Sequence, residues 1–156
     1  MKSVFVLAAS VLALAFGVSP SAGGHSLAAA CKPGLGKIGK TTVYRYCGPA
    51  KATVKIGGKT YSIVGGRCRK VPGAPYLAVD IGAKTLSGKS VTRYLVIRNP
   101  KLTDGVTRSA SVNVQLVGAT YVVGPVVVTV SGGRTRGTFA GDALGAAGRV
   151  TGSWTC

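Results

Sequence analysis

Lys51-Ala52-Thr53-Val54-Lys55-Ile56-Gly57-Gly58-Lys59 is the stretch from which the fold can be read. Ala52, Val54 and Ile56 alternate with Lys51, Thr53 and Lys55, so a strand of period two buries one apolar face and presents a basic one. Gly57-Gly58 supplies two residues that tolerate positive φ, the signature of a tight hairpin. A return strand is expected from about Lys59 to Arg69, with Arg67 and Arg69 on one face and Cys68 on the other.

The pattern continues outward from this hairpin. Short runs rich in Val, Thr, Tyr and Ile, punctuated by Gly, predict strands over 76–81, 91–98, 111–116, 126–131, 134–140 and 149–156. Asn99-Pro100, Asp104-Gly105 and Gly132-Gly133 mark turns between them. Val112, Val114 and Leu116 oppose Ser111, Asn113 and Gln115, and Trp154 and Cys156 oppose Ser153 and Thr155. Helix signals are nearly absent. The expected fold is all-β, an antiparallel immunoglobulin-like sandwich or a barrel of about seven or eight short strands with disulfides. A chain of 156 residues suits one such domain.

The N-terminus speaks for the compartment. Met1-Lys2 places a positive charge before an apolar run from Val4 to Val18, followed by the small residues Ser21, Ala22, Gly23 and Gly24. This is the order of a secretory signal peptide, expected over 1–23, and the run falls short of the ~20 residues a membrane span needs. The mature chain contains no second apolar stretch of spanning length. The segment 24–50 reads as a basic, Gly-rich, disulfide-closed lead-in to a β-sandwich domain over 51–156. Cys31, Cys47, Cys68 and Cys156 are an even set in an exported chain, which implies two disulfides and allows three pairings. Cys31–Cys47 with Cys68–Cys156 is the preferred pairing. A rival for Cys31 is lipidation, because Leu27-Ala28-Ala29-Ala30-Cys31 resembles a bacterial lipobox. That would strand one of the other three thiols.

Composition removes several chemistries and suggests a partner. The chain has 20 Lys+Arg against 3 Asp+Glu, a formal charge of +17, and a single His, His25, at the edge of the signal segment. Ser-His-Asp or Cys-His catalysis and His-bound metals lack their imidazole. Residues 32–70 hold ten cations (Lys32, Lys37, Lys40, Arg45, Lys51, Lys55, Lys59, Arg67, Arg69, Lys70) and no acid. Such asymmetry gives one face a positive potential that recruits polyanions. Lys51, Lys55, Lys59, Arg67, Arg69 and Lys70 are the expected anion-binding residues, with Tyr44, Tyr46 and Tyr61 as flat contacts. A solubility coat is the competing explanation. No helix-turn-helix, aromatic RNA platform or zinc motif appears, so no sequence-specific nucleic-acid reading is expected.

Two motifs carry less than they seem to spell. Gly34-Leu35-Gly36-Lys37-Ile38-Gly39-Lys40-Thr41 fits the phosphate-cradling pattern G-x-x-x-x-G-K-[ST]. A strand must precede that loop and a helix follow it, yet the residues after it, Thr42 to Cys47, read as a strand. Asp80, Asp104 and Asp142 are the only carboxylates. Two of them would have to face each other across a substrate for glycosidase-type work, whereas Asp104 reads as a turn residue, Asp142 as a loop residue and Asp80 as the partner of a strand arginine.

Val54-Lys55-Ile56-Gly57-Gly58-Lys59, Gly65-Gly66-Arg67-Cys68 and Leu77-Ala78-Val79-Asp80-Ile81-Gly82 resemble the first half of the actinobacterial lipoprotein-antigen family. Val128-Thr129-Val130-Ser131-Gly132, Gly137-Thr138-Phe139-Ala140-Gly141 and Val150-Thr151-Gly152-Ser153-Trp154-Thr155-Cys156 resemble its second half. The resemblance covers about residues 51–156. It implies a compact, non-enzymatic β-sandwich exposed at the cell envelope, with one disulfide matching Cys68 and Cys156. The chain departs from the family in its basic surface, in lacking a convincing lipobox and in the extra pair Cys31/Cys47.

The expectation is therefore a secreted, monomeric, non-catalytic protein without metal or cofactor, contacting an anionic polymer or envelope component. The alternatives are an exported inhibitor or protein-binding module, and a small hydrolase using Asp80 or Asp142.

Overall fold

The computed structural model describes residues 31–98, 103–145 and 148–156. The expected signal peptide over 1–23, the start of the segment 24–50 and the Asn99-Pro100 turn lie outside these residues.

The described chain is all-β and antiparallel, with twelve strands rather than seven or eight. They are β1 (Gly34–Ile38), β2 (Thr41–Arg45), β3 (Lys51–Ile56), β4 (Lys59–Val64), β5 (Gly66–Lys70), β6 (Leu77–Thr85), β7 (Tyr94–Arg98), β8 (Gly105–Thr107), β9 (Ser111–Leu116), β10 (Ala119–Ser131), β11 (Arg136–Ala143) and β12 (Arg149–Thr155). Hydrogen bonds link them in the order β1-β2-β6-β7-β9-β10-β11-β12-β3-β4, with β5 on β6 and β8 on β10.

The surplus over the expected count has two sources. The return strand predicted from 59 to 69 is two strands, because Gly65 takes φ +81° and turns the chain from β3 to β6. At Gly66 a Cβ would collide with the Asp80 carbonyl and lie 2.6 Å from Ile81 Cα, so only glycine lets β5 approach β6 there. β10 adds no strand but begins seven residues earlier than predicted. Ala119–Val123 pairs with β9, the register shifts between Val123 and Val126, and Val126–Ser131 continues on β11. Gly124-Pro125 is the irregularity at which one strand passes between two parts of the sheet. Second, β1 and β8 are short strands where the sequence reads as loop or turn, and β2 is the strand-like run after the Gly34–Thr41 motif, which the count of seven or eight did not include.

Strands that switch layers at bends make corners between packed sheets. The step Val64-Gly65-Gly66 returns the path from β4 to β5 and so to β6, and the inward side chains share one core. Val54, Val79, Ile81, Leu95, Ile97, Val112, Val114, Val126, Val128, Val130, Phe139 and Trp154 all belong to it. Phe139 and Trp154 are accommodated by small cross-strand neighbours. Gly152 pairs with Phe139 and Gly137 with Trp154, and a Cβ on either glycine would run into that ring. The Trp154 Nε1 is buried without a hydrogen-bond partner, which costs about 1–3 kcal/mol that the ring's packing must offset.

The disulfides are Cys31–Cys47 and Cys68–Cys156. Cys68 and Cys156 pack against the core and tie β5 to the end of β12. Cys31 is exposed, and its sulfur is engaged with Cys47, leaving no thiol for a lipid thioether. Among the described residues no helix is long and apolar enough to cross a membrane.

Candidate functional site

The predicted alternation in β3 holds residue for residue: Lys51, Thr53 and Lys55 are exposed while Ala52, Val54 and Ile56 are buried. Because β3 pairs with both β4 and β12, these outward residues join a wider surface. Thr53 lies between Ser62 and Ser153, Lys55 between Thr60 and Thr151, and Lys51 between Val64 and Thr155. The next two strands extend the rows: Thr138 and then Thr129 continue from Ser153, and Arg136 and then Ser131 continue from Thr155. The outcome is a face of hydroxyls with cations at its margins. Its one carboxylate, Asp142, stands opposite Arg149 in register.

The six predicted anion-binding residues do not form one row. Lys51 and Lys55 share the outer face of β3. Lys59 is exposed at the hairpin tip but has the parity of Tyr61 and Ile63, so it projects from the sheet end. Arg67, Arg69 and Lys70 lie beyond the Gly65 bend on β5, all exposed. The bend divides the basic residues into two groups, Lys51, Lys55 and Lys59 on the β3–β4 hairpin and Arg67, Arg69 and Lys70 on β5.

Arg69 is partly committed. Its Nε lies 4.0 Å from Asp80 Oδ2, while Arg98 Nη2 donates to Asp80 Oδ1 at 2.6 Å and the Tyr94 hydroxyl donates to the same oxygen at 2.7 Å. Asp80 is 1% exposed and Tyr94 4%. Burial, then hydrogen bonding with Tyr46 and Asp80 and the Asp80 charge, hold the Tyr94 phenol far above its usual range. Burial works against the Arg98 charge, but the hydrogen bond and charge of Asp80 outweigh it and raise its pKa. The reading of Asp80 as an arginine partner is thus met, chiefly by Arg98, a residue the sequence did not single out. The remaining carboxylates stay apart from it. Asp104 accepts from the Gly133 and Arg134 amides at 3.0 and 3.1 Å, clamping the β10–β11 turn, and Asp142 is exposed on β11. Among the described residues no three His, Cys, Asp or Glu converge as a metal site.

The tyrosines do other work than expected. Tyr46 stacks on Tyr94 at 5.3 Å between ring centres and Tyr44 tilts against Tyr46 at 4.9 Å, while Arg93 covers the Tyr61 ring at 5.7 Å. These rings fasten the β2 segment and the β4 strand to the body instead of offering open flat platforms. Beside them a cavity of about 490 Å³ is lined by Cys31, Arg45, Tyr46, Ile63, Gly82 and Arg93, among others. Gly34–Thr41 is a hairpin, β1 turning at Gly39-Lys40 into β2, and no helix follows it.

What the sequence could not reveal is the hydroxyl row itself. Thr129, Thr138, Ser153, Thr53 and Ser62 come from five strands, and the outermost two, Thr53 and Ser153, are 100 positions apart in the sequence. Only the pairing order places them side by side. Comparison of the chain with protein-family models, curated proteins and solved structures finds no match.

Proposed function

We infer that this protein is an exported, non-catalytic binding protein that holds an anionic polymer of the cell envelope or its surroundings through its basic surface. The observation that carries this reading is uncompensated charge. Ten cations and no acid occupy residues 32–70, and among the described residues only Arg69 and Arg98 meet a carboxylate, both at Asp80. Lys51, Lys55, Lys59, Arg67 and Lys70 are exposed without such a partner. A domain of this size with a formal +17 attracts polyanions over several ångströms and releases their counterions on contact. Two disulfides suit an oxidising compartment outside the cytoplasm. The motif resemblance to the lipoprotein-antigen family points the same way, toward an envelope-exposed β protein without catalysis.

The test is retention of the purified protein on the producer's envelope fraction at about 0.15 M and 1 M salt. Retention should be lost at high salt. It should also be lost in the variant K51E/K55E/K59E/R67E, whose substitutions are all at exposed positions and whose circular dichroism should be unchanged. Full retention by that variant overturns the reading. A salt-insensitive, stoichiometric complex with one protein would replace it with the inhibitor alternative.

A further inference from the structure

The geometry points to the hydroxyl face of β10, β11, β12, β3 and β4 as the seat of an extended, carboxylate-bearing polysaccharide, laid across the strands along the row Thr129–Thr138–Ser153–Thr53–Ser62. This names the polymer class and the surface within the reading above, and rests on it.

Three properties of the face select such a ligand. The row is regular: neighbouring strands stand ~4.8 Å apart, so five hydroxyls span roughly 19 Å in four steps. Three of the five are threonines, whose branched Cβ restricts χ1 and limits the freedom lost on binding. None of the five makes a side-chain hydrogen bond within the protein. Each hydroxyl both donates and accepts, which suits sugar hydroxyls and carboxylates alike.

The face also has troughs. A depression of about 370 Å³, touching Lys55, Val127, Ala140 and Thr151, runs along one side of the row. Two more, of about 240 and 270 Å³, touch Lys51, Thr155, Ser131 and Arg136 along the other. Val127, Ala140 and the threonine methyls offer apolar contact to the flat faces of sugar rings. Finally, charge is placed at the margins. Lys51, Lys55 and Arg136 flank the neutral row, and the face's one acid is opposed by Arg149. A phosphate polymer, densely charged, is best held by clustered arginine forks and backbone amides. A chain with one carboxylate per ring needs hydroxyl contacts in the middle and sparse cations at the edge, as found here.

The experiment compares immobilised polygalacturonate, its neutral methyl ester and inorganic polyphosphate, using the intact disulfide-bonded protein and the variant T53V/T138V/S153A. Valine keeps the shape and strand preference of threonine, so the variant loses hydroxyls but no charge. Wild type should bind polygalacturonate, and bind the methyl ester at least about tenfold more weakly. The variant should lose at least about tenfold in affinity for polygalacturonate, since three hydrogen bonds are removed, while its binding to polyphosphate stays unchanged and certifies the fold. Equal binding of polygalacturonate by variant and wild type overturns the inference. So does wild-type binding of polyphosphate without polygalacturonate, an outcome that leaves the broader anion reading standing. Loss of polyphosphate binding by the variant with an unchanged melting temperature also overturns it, making the face a general anion surface. Failure of wild type to bind any polyanion removes both readings.

Discussion

Arg98 Nη2 lies 2.6 Å from Asp80 Oδ1 across the β6–β7 pair, and the two partners differ in exposure: the Arg98 side chain is 36% exposed, the Asp80 side chain 2%. The pair is therefore asymmetric. Removing the acid leaves two arginines that water can solvate, whereas removing Arg98 leaves a buried carboxylate held by Tyr94 and, at 4.0 Å, by Arg69.

Arg98→Met should accordingly cost more stability than Asp80→Asn. Breaking a fully buried pair costs 3–5 kcal/mol, and the solvent at Arg98 reduces this to about 2–3 for Arg98→Met and about 1 for Asp80→Asn. The double variant should lose less than the sum of the two, because the pair is coupled. Urea denaturation of the three variants measures all of this. Equal costs for the two single changes would show that the buried carboxylate is solvated after all.

Tyr94 makes the protein sensitive to alkali. Its folded-state pKa lies far above the unfolded value of about 10, so its contribution is complete below about pH 10 and declines as pH rises toward the folded value. Above pH 10 the unfolded chain loses this proton and the folded chain keeps it. Wild type should then lose up to about 1.4 kcal/mol per pH unit more than Tyr94→Phe. Unfolding free energies from pH 8 to 11.5 should show two curves that converge at high pH. Parallel curves would mean that the phenol ionises without unfolding.

Gly137 and Gly152 are set by the aromatic rings over them. Gly137→Ala and Gly152→Ala should each destabilise by about 1–3 kcal/mol, because the added methyl meets Trp154 or Phe139 in a filled core. Combining Gly137→Ala with Trp154→Leu should cost less than the sum of the two single changes. Thermal unfolding decides this. Additive losses would place the strain elsewhere than at the ring.

The two disulfides should differ in weight. Cys68–Cys156 spans 88 residues and joins two core strands, whereas Cys31–Cys47 spans 16 and lies at the margin. Replacing the first pair by Ala should cost about 4 kcal/mol in the chain-entropy account and the second at most about 3. The melting temperature of each double-Ala variant under oxidising conditions checks the order, and a reversed order would make the β1–β2 segment part of the cooperative core.

Much of this protein was legible in its residues, and for local reasons. Period-two alternation is a property of five or six consecutive side chains, so the all-β class, the Gly57-Gly58 hairpin and the outward Lys51 and Lys55 followed from the sequence. Inward Cys68 and Cys156 were likewise assigned by parity, and their bridge agrees with that assignment. The corners were not legible. Gly65 falls inside the strand expected from 59 to 69 and Gly124-Pro125 just before the one expected from 126, and whether such residues stop a strand or bend it between layers depends on which strands lie beyond them. Arg98 escaped notice because its partner, Asp80, is 18 positions away and meets it through cross-strand register.

The candidate surface divides in the same way. Sequence by itself determined the sign and amount of charge, the even set of four cysteines and the fact that exposed threonines and lysines alternate with core residues. Tertiary structure alone decided that Lys51 and Lys55 are parted from Arg67 and Arg69 by a bend, that the tyrosines are occupied in packing, and that hydroxyls from five strands stand in one line. The reason is physical. Charge and alternation are additive properties of neighbouring residues, whereas a row across a sheet exists only once the strand order and every register are fixed, and those are set by the burial of one shared core.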